Sequence, residues 1–413
     1  MRKITAVTVA RSDYGILLPV LRKIQQDPDL ELRLVVSGMH LAPEFGLTWR
    51  AIEADGFAID DRVEMLLSSD TSEGIAKSMG LGTIGFAQVY ARHRPDILLT
   101  LGDRAEMHAA VVAALPFTIP VAHIHGGEVS YGAIDDALRH SITKLSHLHF
   151  VATERCAARV VQMGEEPWRV TVAGAPALDN LRYMPLLSIQ VLEKRFGLCL
   201  TPPPLLVTFH PVTVEFTHTA RYMSELLAAL QEANLPIVFT KPNADTNGRV
   251  AVKMIEEFVA GRSRKDGTDR RFVPQAYLVD NLGTQAYFSL MNVAAAMVGN
   301  SSSGLIEAPS FRLPVVNIGN RQQGRCRAAN VIDVGYERAA IAQGIRRALQ
   351  PDFRASLRNL VNPFGTGTAA DIIVTCLKET PLEDRLIRKQ FWETGRETRE
   401  DGETCHNEAL VGT

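Results

Sequence analysis

The chain is poor in cysteine and has no long apolar run. Its five cysteines, Cys156, Cys199, Cys326, Cys376 and Cys405, are an odd set without C-x-x-C spacing. That argues against a disulfide framework and a zinc ribbon, and it suits a reducing compartment. No stretch approaches the ~18 apolar residues of a membrane span, and the run Ile4–Ala10 is too brief for a secretory signal. A cytoplasmic protein is expected. Charge of one sign is also lacking: 44 Lys and Arg stand against 46 Asp and Glu, formally −2, with the basic residues scattered. No nucleic-acid or membrane partner is therefore expected, and any anion must be bound locally.

What is present is enough apolar residue, 46% of 413, for more than one core. A single core stops growing at about 250 to 300 residues, so two domains are the natural division. Short apolar runs alternate with amphipathic segments, which predicts parallel strands at Ile4–Val9, Leu32–Val36, Ile97–Leu101, Pro120–His125, His149–Ala152 and Val170–Val172. After the punctuation Thr201-Pro-Pro-Pro204 the pattern resumes at Leu205–Phe209, Pro236–Thr240, Ala276–Val279, Ala294–Val298 and Val315–Ile318. The fold class expected is α/β, two Rossmann-like doubly wound domains with an interdomain cleft. Residues 1–178 would form the first, 179–366 the second, 367–380 a helix, and 381–413 a charged tail, frayed or weakly helical.

The chemistry-bearing residues gather at predicted strand ends, where open α/β sheets bind ligands. Val121-Ala-His-Ile-His-Gly-Gly-Glu128 leads into a helix carrying Asp135 and Arg139, itself open to reading as a simple i, i+4 surface pair. His123 and His125, two apart, would share a strand face and with Glu128 could hold a metal, but no further ligand pattern accompanies them, and no metal is expected. Arg11-Ser-Asp-Tyr-Gly15 follows the first strand without a G-x-G-x-x-G fingerprint, so no dinucleotide cofactor is indicated. Gly102-Asp-Arg104 repeats that placement, with Asp103 suited either to proton transfer or to capping the next helix. His210 ends the first strand of the second half. Gly299-Asn-Ser-Ser-Ser-Gly304 opens a helix bearing Glu307 and reads as a phosphate cradle or an ordinary serine cap; Arg321 and Arg325 could neutralise the same phosphates or pair with Glu307.

Together with Gly38-Met-His40, Phe209-His-Pro211 and Asp135-Asp-Ala-Leu-Arg139, these motifs closely resemble the hydrolysing UDP-N-acetylglucosamine 2-epimerases, from about residue 3 to residue 378. The resemblance implies a glycosyltransferase-B-like fold with the C-terminal helix crossing back to the first domain, a UDP-sugar substrate, no cofactor and a homodimer. The implied reaction is anti elimination of UDP to a 2-acetamidoglucal, then hydration to N-acetylmannosamine for nonulosonic (sialic or legionaminic) acid synthesis. UDP-N,N'-diacetylbacillosamine is the alternative substrate. Carried over by motif, Asp103 and Asp135 would be acid/base carboxylates, with Arg139 and His210 near sugar and diphosphate. Ser301, Ser302, Arg11 and Arg321 would stabilise the leaving group, and Asp13, Gly15, His40, Arg104, Asn243 and Glu307 would complete the substrate site. Some relatives have glutamate where this chain has His125, so either His125 or Glu128 would be the remaining acid/base group. Ile16 stands where some relatives carry lysine. Other readings are a non-hydrolysing epimerase, against which the His-Ile-His-Gly-Gly-Glu motif speaks, a glycosyltransferase, and a UDP-sugar sensor that would gain nothing from paired carboxylates.

Overall fold

A computed structural model describes residues 1–67, 69, 71–131, 134–212, 217–241, 248–263, 275–280 and 282–393. The first half contributes strands β1 (Arg2–Thr8), β2 (Leu30–Ser37), β3 (Asp61–Val63), β4 (Ile97–Leu101), β5 (Val121–Ile124), β6 (Leu148–Val151) and β7 (Val170–Val172). The second contributes β8 (Leu205–Thr208), β9 (Ile237–Thr240), β10 (Ala276–Val279), β11 (Ala296–Gly299), β12 (Val315–Ile318) and β13 (Val331–Val334). Among the described residues these make one seven-stranded sheet, β3-β2-β1-β4-β5-β6-β7, and one six-stranded sheet, β10-β9-β8-β11-β12-β13. The pairs are parallel, with Ile4 opposite both Leu32 and Ile97 in the first sheet and Val298 opposite Val207 and Val316 in the second. This is the expected two-sheet α/β fold. The edge strands β3 and β13 escape sequence reading because they are short and carry charge, as in Asp61-Arg-Val63 and Val331-Ile-Asp-Val334.

The strand interiors read as unbroken apolar runs because helices cover both faces of a parallel sheet. Ile97, Leu98 and Leu99 of β4 are fully buried, as are Leu205 and Val207 of β8. Each sheet reverses its strand order beside its first strand, between β1 and β4 and between β8 and β11, which opens a crevice at the strands' carboxyl ends. The segments that leave those ends carry the residues of interest: Arg11 to Gly15 after β1, Asp103 after β4, His210 after β8 and Asn300 after β11.

The helix Ala369–Glu379 packs back on the first half. Its Ile373, Val374 and Leu377 join the core of the first sheet, and Lys378 Nζ lies 2.6 Å from Asp29 Oδ2 and 3.2 Å from Asp27 Oδ1. Asp179 accepts its first free N–H groups, from Ala369 at 3.1 Å and Ala370 at 2.6 Å, and so fixes where it starts. Of the two states expected from residue 381, frayed or weakly helical, the described part has the second, a single short helix at Asp384–Ile387, and the segment is docked as far as Trp392, whose N–H donates to Gly164 O at 2.9 Å. Leu386 is buried in the first core, wholly buried Arg169 donates to the carbonyls of Arg385 (2.7 Å) and Leu386 (2.8 Å), and Lys389 Nζ pairs with Glu165 at 2.6 Å. The polar composition hid this because the partners are buried groups far away in sequence. Leu386→Ala is expected to lower unfolding free energy by about 2–5 kcal/mol. A urea-unfolding loss of under about 1 kcal/mol would mean the segment only rests on the surface.

Candidate functional site

The left-handed turn after β5 organises the site. His125 has φ +64°, a region L side chains rarely occupy, and its N–H donates to Phe150 O at 3.0 Å. It therefore leaves the strand line, and His123 and His125 do not share a face as expected. His123 points back into the fold, with Nε2 2.8 Å from Gly102 O and Nδ1 3.3 Å from Thr143 Oγ1, and burial lowers its pKa to about 3. It is a neutral structural group. His125 Nδ1 lies 2.5 Å from Glu128 Oε1, both side chains being buried. Burial alone would push the Glu128 carboxyl up, but His125, Arg325 and Arg139 together hold it well below the usual carboxylate range.

Arg139 is the hub. From the helix Ile134–Leu145 its guanidinium pairs with Asp103, donates to His125 O at 3.0 Å, and comes within 4.0 Å of Glu128 Oε2. Burial disfavours its charge, yet Asp103, Glu128, Asp135 and Asp136 outweigh that and raise its pKa. The surface i, i+4 reading of Arg139 thus gives way: the residue is 3% exposed and turned to Asp103. Asp135 stands half-buried at the helix start, within electrostatic reach of Arg139.

Across the cleft, Gly299 (φ +140°) lets β11 close on β8, since a Cβ there would lie 1.9 Å from Thr208 O. The next residue, Asn300, clamps His210: its Oδ1 accepts the His210 N–H at 2.7 Å and its Nδ2 donates to His210 O at 2.8 Å. Arg321 Nη1 and Gln322 Nε2 donate to Asn300 O at 3.1 and 2.8 Å. Burial first, then Arg321 and Arg104, push the His210 imidazole well below its ordinary pKa. Arginines of both halves therefore converge on this ring. Ser301 and Ser302 are half-buried, and Ser301 Oγ accepts from Ser303 N at 3.3 Å. The helix expected to open at the Gly299–Gly304 segment and bear Glu307 is α-helical only over Ser303–Ile306, then turns to 3-10 geometry at Ala308–Phe311, where Pro309 has no N–H to continue the ladder.

Near β1, Arg104 Nε lies 3.3 Å from Asp13 Oδ1, and Ser12 donates to the same oxygen at 3.2 Å. Burial raises the Asp13 carboxyl to about 6 against the pull of Arg104. Arg11 donates to Asp280 O at 3.5 Å, and Gly15 faces the second half: its carbonyl accepts from Asn180 at 2.9 Å, and a Cβ would come 3.0 Å from Thr284 Oγ1.

Two expectations need correction. His40 is wholly buried, with Nε2 3.0 Å from Thr8 Oγ1 and Nδ1 2.8 Å from Thr48 Oγ1, so both nitrogens serve the fold rather than a ligand. Arg325 does not pair with Glu307, one of the two roles open to it; it crosses to the first half, donating to Val129 O and Ser130 Oγ, each at 2.8 Å. Asn243 lies outside the described residues. Sequence reasoning assigned no role to Asn300, Ser130 or Tyr287. Only Asn300 carried a signal, its place directly after a strand-ending glycine. Burial raises the Tyr287 hydroxyl to about 12 beside Ser301 and Ser303. Among the described residues no group of three His, Cys, Asp or Glu side chains is arranged to hold a metal, and no helix is long and apolar enough to cross a membrane.

Glu307 is buried, and burial raises its carboxyl from 4.5 to about 7. A folded value above the unfolded one means that the group's stabilising contribution is complete below pH 4.5 and is lost as pH rises through 7. Glu307→Gln cannot ionise, so it should scarcely change stability at pH 4.5 and raise it at pH 8 by on the order of 2–3 kcal/mol. Equal changes in urea midpoint at both pH values would rule out a buried ionisation as the cause.

The family described as UDP-N-acetylglucosamine 2-epimerase matches residues 22–378. A GDP/UDP-N,N'-diacetylbacillosamine 2-epimerase (hydrolyzing) of Campylobacter jejuni is 39% identical over 392 residues, covering 94% of this chain and 98% of the relative. A UDP-N,N'-diacetylbacillosamine 2-epimerase (hydrolyzing) of Legionella pneumophila is 36% identical over 390 residues, 94% of this chain and 99% of its own. In fold, the chain is similar to a UDP-GlcNAc 2-epimerase from Neisseria meningitidis bound to UDP-GlcNAc, with TM-score 0.77 at 19% identity over 92% of this chain and 100% of that one.

Proposed function

The chain belongs to the hydrolysing UDP-N-acetylglucosamine 2-epimerase family, and from that premise we propose that it splits a UDP-2-acetamido sugar with water, releasing UDP and a free sugar inverted at C2. In the first step a base takes the C2 proton, the C–H electron pair becomes the C1=C2 bond of a 2-acetamidoglucal, and the C1–O bond to diphosphate breaks. In the second, water delivers its oxygen to C1 and a proton arrives at C2 from the other face. The sequence of steps is redox-neutral.

The observation that carries this reading is the His125–Glu128 pair, separated from Asp103 by one buried guanidinium. Glu128 is ionised, so it accepts, and Nδ1 of His125 must donate to it. That leaves Nε2 to exchange a proton, the division of labour of a carboxylate-oriented histidine in a hydrolase triad. Asp103, beyond Arg139, offers a second proton-handling group, which transfer on opposite sugar faces requires. Asp135 is the third carboxylate of the set. Ser301 and Ser302, with Arg321 on the neighbouring Asn300 carbonyl and Arg104 sharing with Arg321 the field at His210, would receive the diphosphate, whose departure with developing negative charge needs preorganised donors. The names of the two relatives favour UDP-N,N'-diacetylbacillosamine over UDP-N-acetylglucosamine as substrate.

The test is incubation with each sugar nucleotide in D2O, followed by proton NMR. UDP release with a free manno-configured sugar deuterated at C2 is expected, faster for the diacetylated substrate. UDP retained on the sugar would point to the non-hydrolysing reaction, and binding of both without turnover to a sensor.

A further inference from the structure

Arg325 ties the second half of the chain into the proton-handling cluster of the first. It leaves the turn after β12 and directs its fork across the cleft, with Nε 2.8 Å from Val129 O, Nη2 2.8 Å from Ser130 Oγ and Nη1 3.8 Å from Glu128 Oε2. The close approach depends on Gly324, at φ +82°, where a Cβ would lie 2.5 Å from the Tyr131 ring and 2.8 Å from Val129 Cγ2. Both neighbours belong to the first half. Glu128 thus has two distinct sides: Oε1 orients His125, while Oε2 lies between Arg325 and Arg139, at 3.8 and 4.0 Å.

Resting on the function proposed above, we infer that Arg325 is a positioning residue that acts through Glu128 on His125, completing the acid/base pair only when the two halves of the chain are in contact. A carboxylate buried without cations takes up a proton, and a neutral Glu128 would no longer dictate which His125 nitrogen donates. Arg139 comes from the same half as the pair and is shared with Asp103, so Arg325 is the cation that contact between the halves supplies. Domain contact and proton-transfer competence are thereby one event, and the pair is not fully set in a cleft open to water. The titratable and charged groups around the pair are Arg139, Arg325, Asp103, Glu307, His123 and Cys156, with Arg155 and Arg159 lining the same cavity as Glu128 and Arg325. Of these, Arg325 and Glu307 come from the second half.

The test compares Arg325→Met with Arg325→Lys in steady-state kinetics across pH and in UDP binding by calorimetry. In Arg325→Met, kcat should fall roughly 100-fold, the scale of a misplaced reacting group, with KM and UDP affinity little changed. Loss of a neighbouring positive charge raises the proton affinity of the His125–Glu128 pair as a whole, so the pH–rate limb governed by the pair should move up by about one pH unit. Arg325→Lys keeps the charge and should return that limb toward its original position, while recovering kcat only in part, because an ammonium cannot reproduce the fork to Val129 and Ser130. Ser130→Ala removes no charge but takes away an acceptor that serves Arg325 Nη2 at 2.8 Å and Arg139 Nη2 at 3.4 Å; it should lower kcat less than Arg325→Met and leave the limb in place, and it serves if Arg325→Met does not fold. An unmoved limb in Arg325→Met, a UDP affinity falling in step with kcat, or a Ser130→Ala enzyme of unchanged kcat overturns the inference. Failure of the underlying function appears separately, as unsubstituted protein that releases no UDP from either sugar.

Discussion

With asparagine in place of His125, turnover is expected to fall by roughly 100- to 10,000-fold while the protein stays folded, the range associated with loss of a general acid or base. Asparagine is chosen for the backbone. At φ +64° a histidine pays a steric cost of about 1–2 kcal/mol that glycine and asparagine largely avoid, so Asn should sit at least as comfortably in the turn. Alanine at the same φ would retain the strain and confuse loss of chemistry with loss of fold. Glu128 keeps Arg139 and Arg325 as counter-charges after the substitution, which preserves the buried electrostatics. The measurement pairs kcat for UDP release with thermal unfolding. A variant of normal stability retaining more than about a tenth of wild-type kcat would remove His125 from the proton-transfer step and leave Asp103 and Asp135 to carry both transfers.

That a histidine should be the strained residue is consistent with the role proposed for it, because strained backbone recurs where a site dictates a side chain's direction. The motif His123-Ile-His-Gly-Gly-Glu128 was legible as chemistry, since histidines and a carboxylate beside a glycine turn have few structural uses. Which histidine does what was not. Period-two reasoning put both rings on one strand face, and only the turn at His125, with the Thr143 hydroxyl and the Gly102 carbonyl that hold His123, separates a structural ring from one beside a carboxylate. His40 entered only through the resemblance of Gly38-Met-His40, and no spacing marks the partners that absorb both its nitrogens, Thr8 and Thr48.

The strand runs are legible because burial on both faces writes a continuous apolar signature. Long-range polar closure writes none. Arg325 was visible as a cation near the phosphate cradle, yet its partners, Val129 and Ser130, lie in the other half of the chain, and no spacing rule connects them. The docked segment through Trp392 is the same case: Arg169 looks like a surface arginine until its donors are found on the carbonyls of Arg385 and Leu386. Sequence periodicity reports which side chains are apolar; it is silent on which backbone carbonyl a buried arginine will meet.

Arg139→Met should be the most destabilising single change in the cluster, by about 3–5 kcal/mol, because removing one member of a buried ion pair leaves the other without compensation. The guanidinium is 3% exposed and serves Asp103, Glu128 and the His125 carbonyl at once. Methionine fills a similar volume, which limits the cavity contribution and isolates the charge. If the cost comes from a stranded carboxylate, then Asp103→Asn in the Arg139→Met background should return part of it, although Asp103→Asn alone is expected to be destabilising. The two substitutions would then show a coupling energy of about 1–3 kcal/mol in a double-mutant cycle by urea unfolding. Activity should not follow stability, since the double variant lacks both Asp103 and the guanidinium that orients it and should remain as inactive as either single change. Additive stability costs would mean that Arg139 acts through its contacts with His125 O and Glu128, and the tie to Asp103 would then concern catalysis alone.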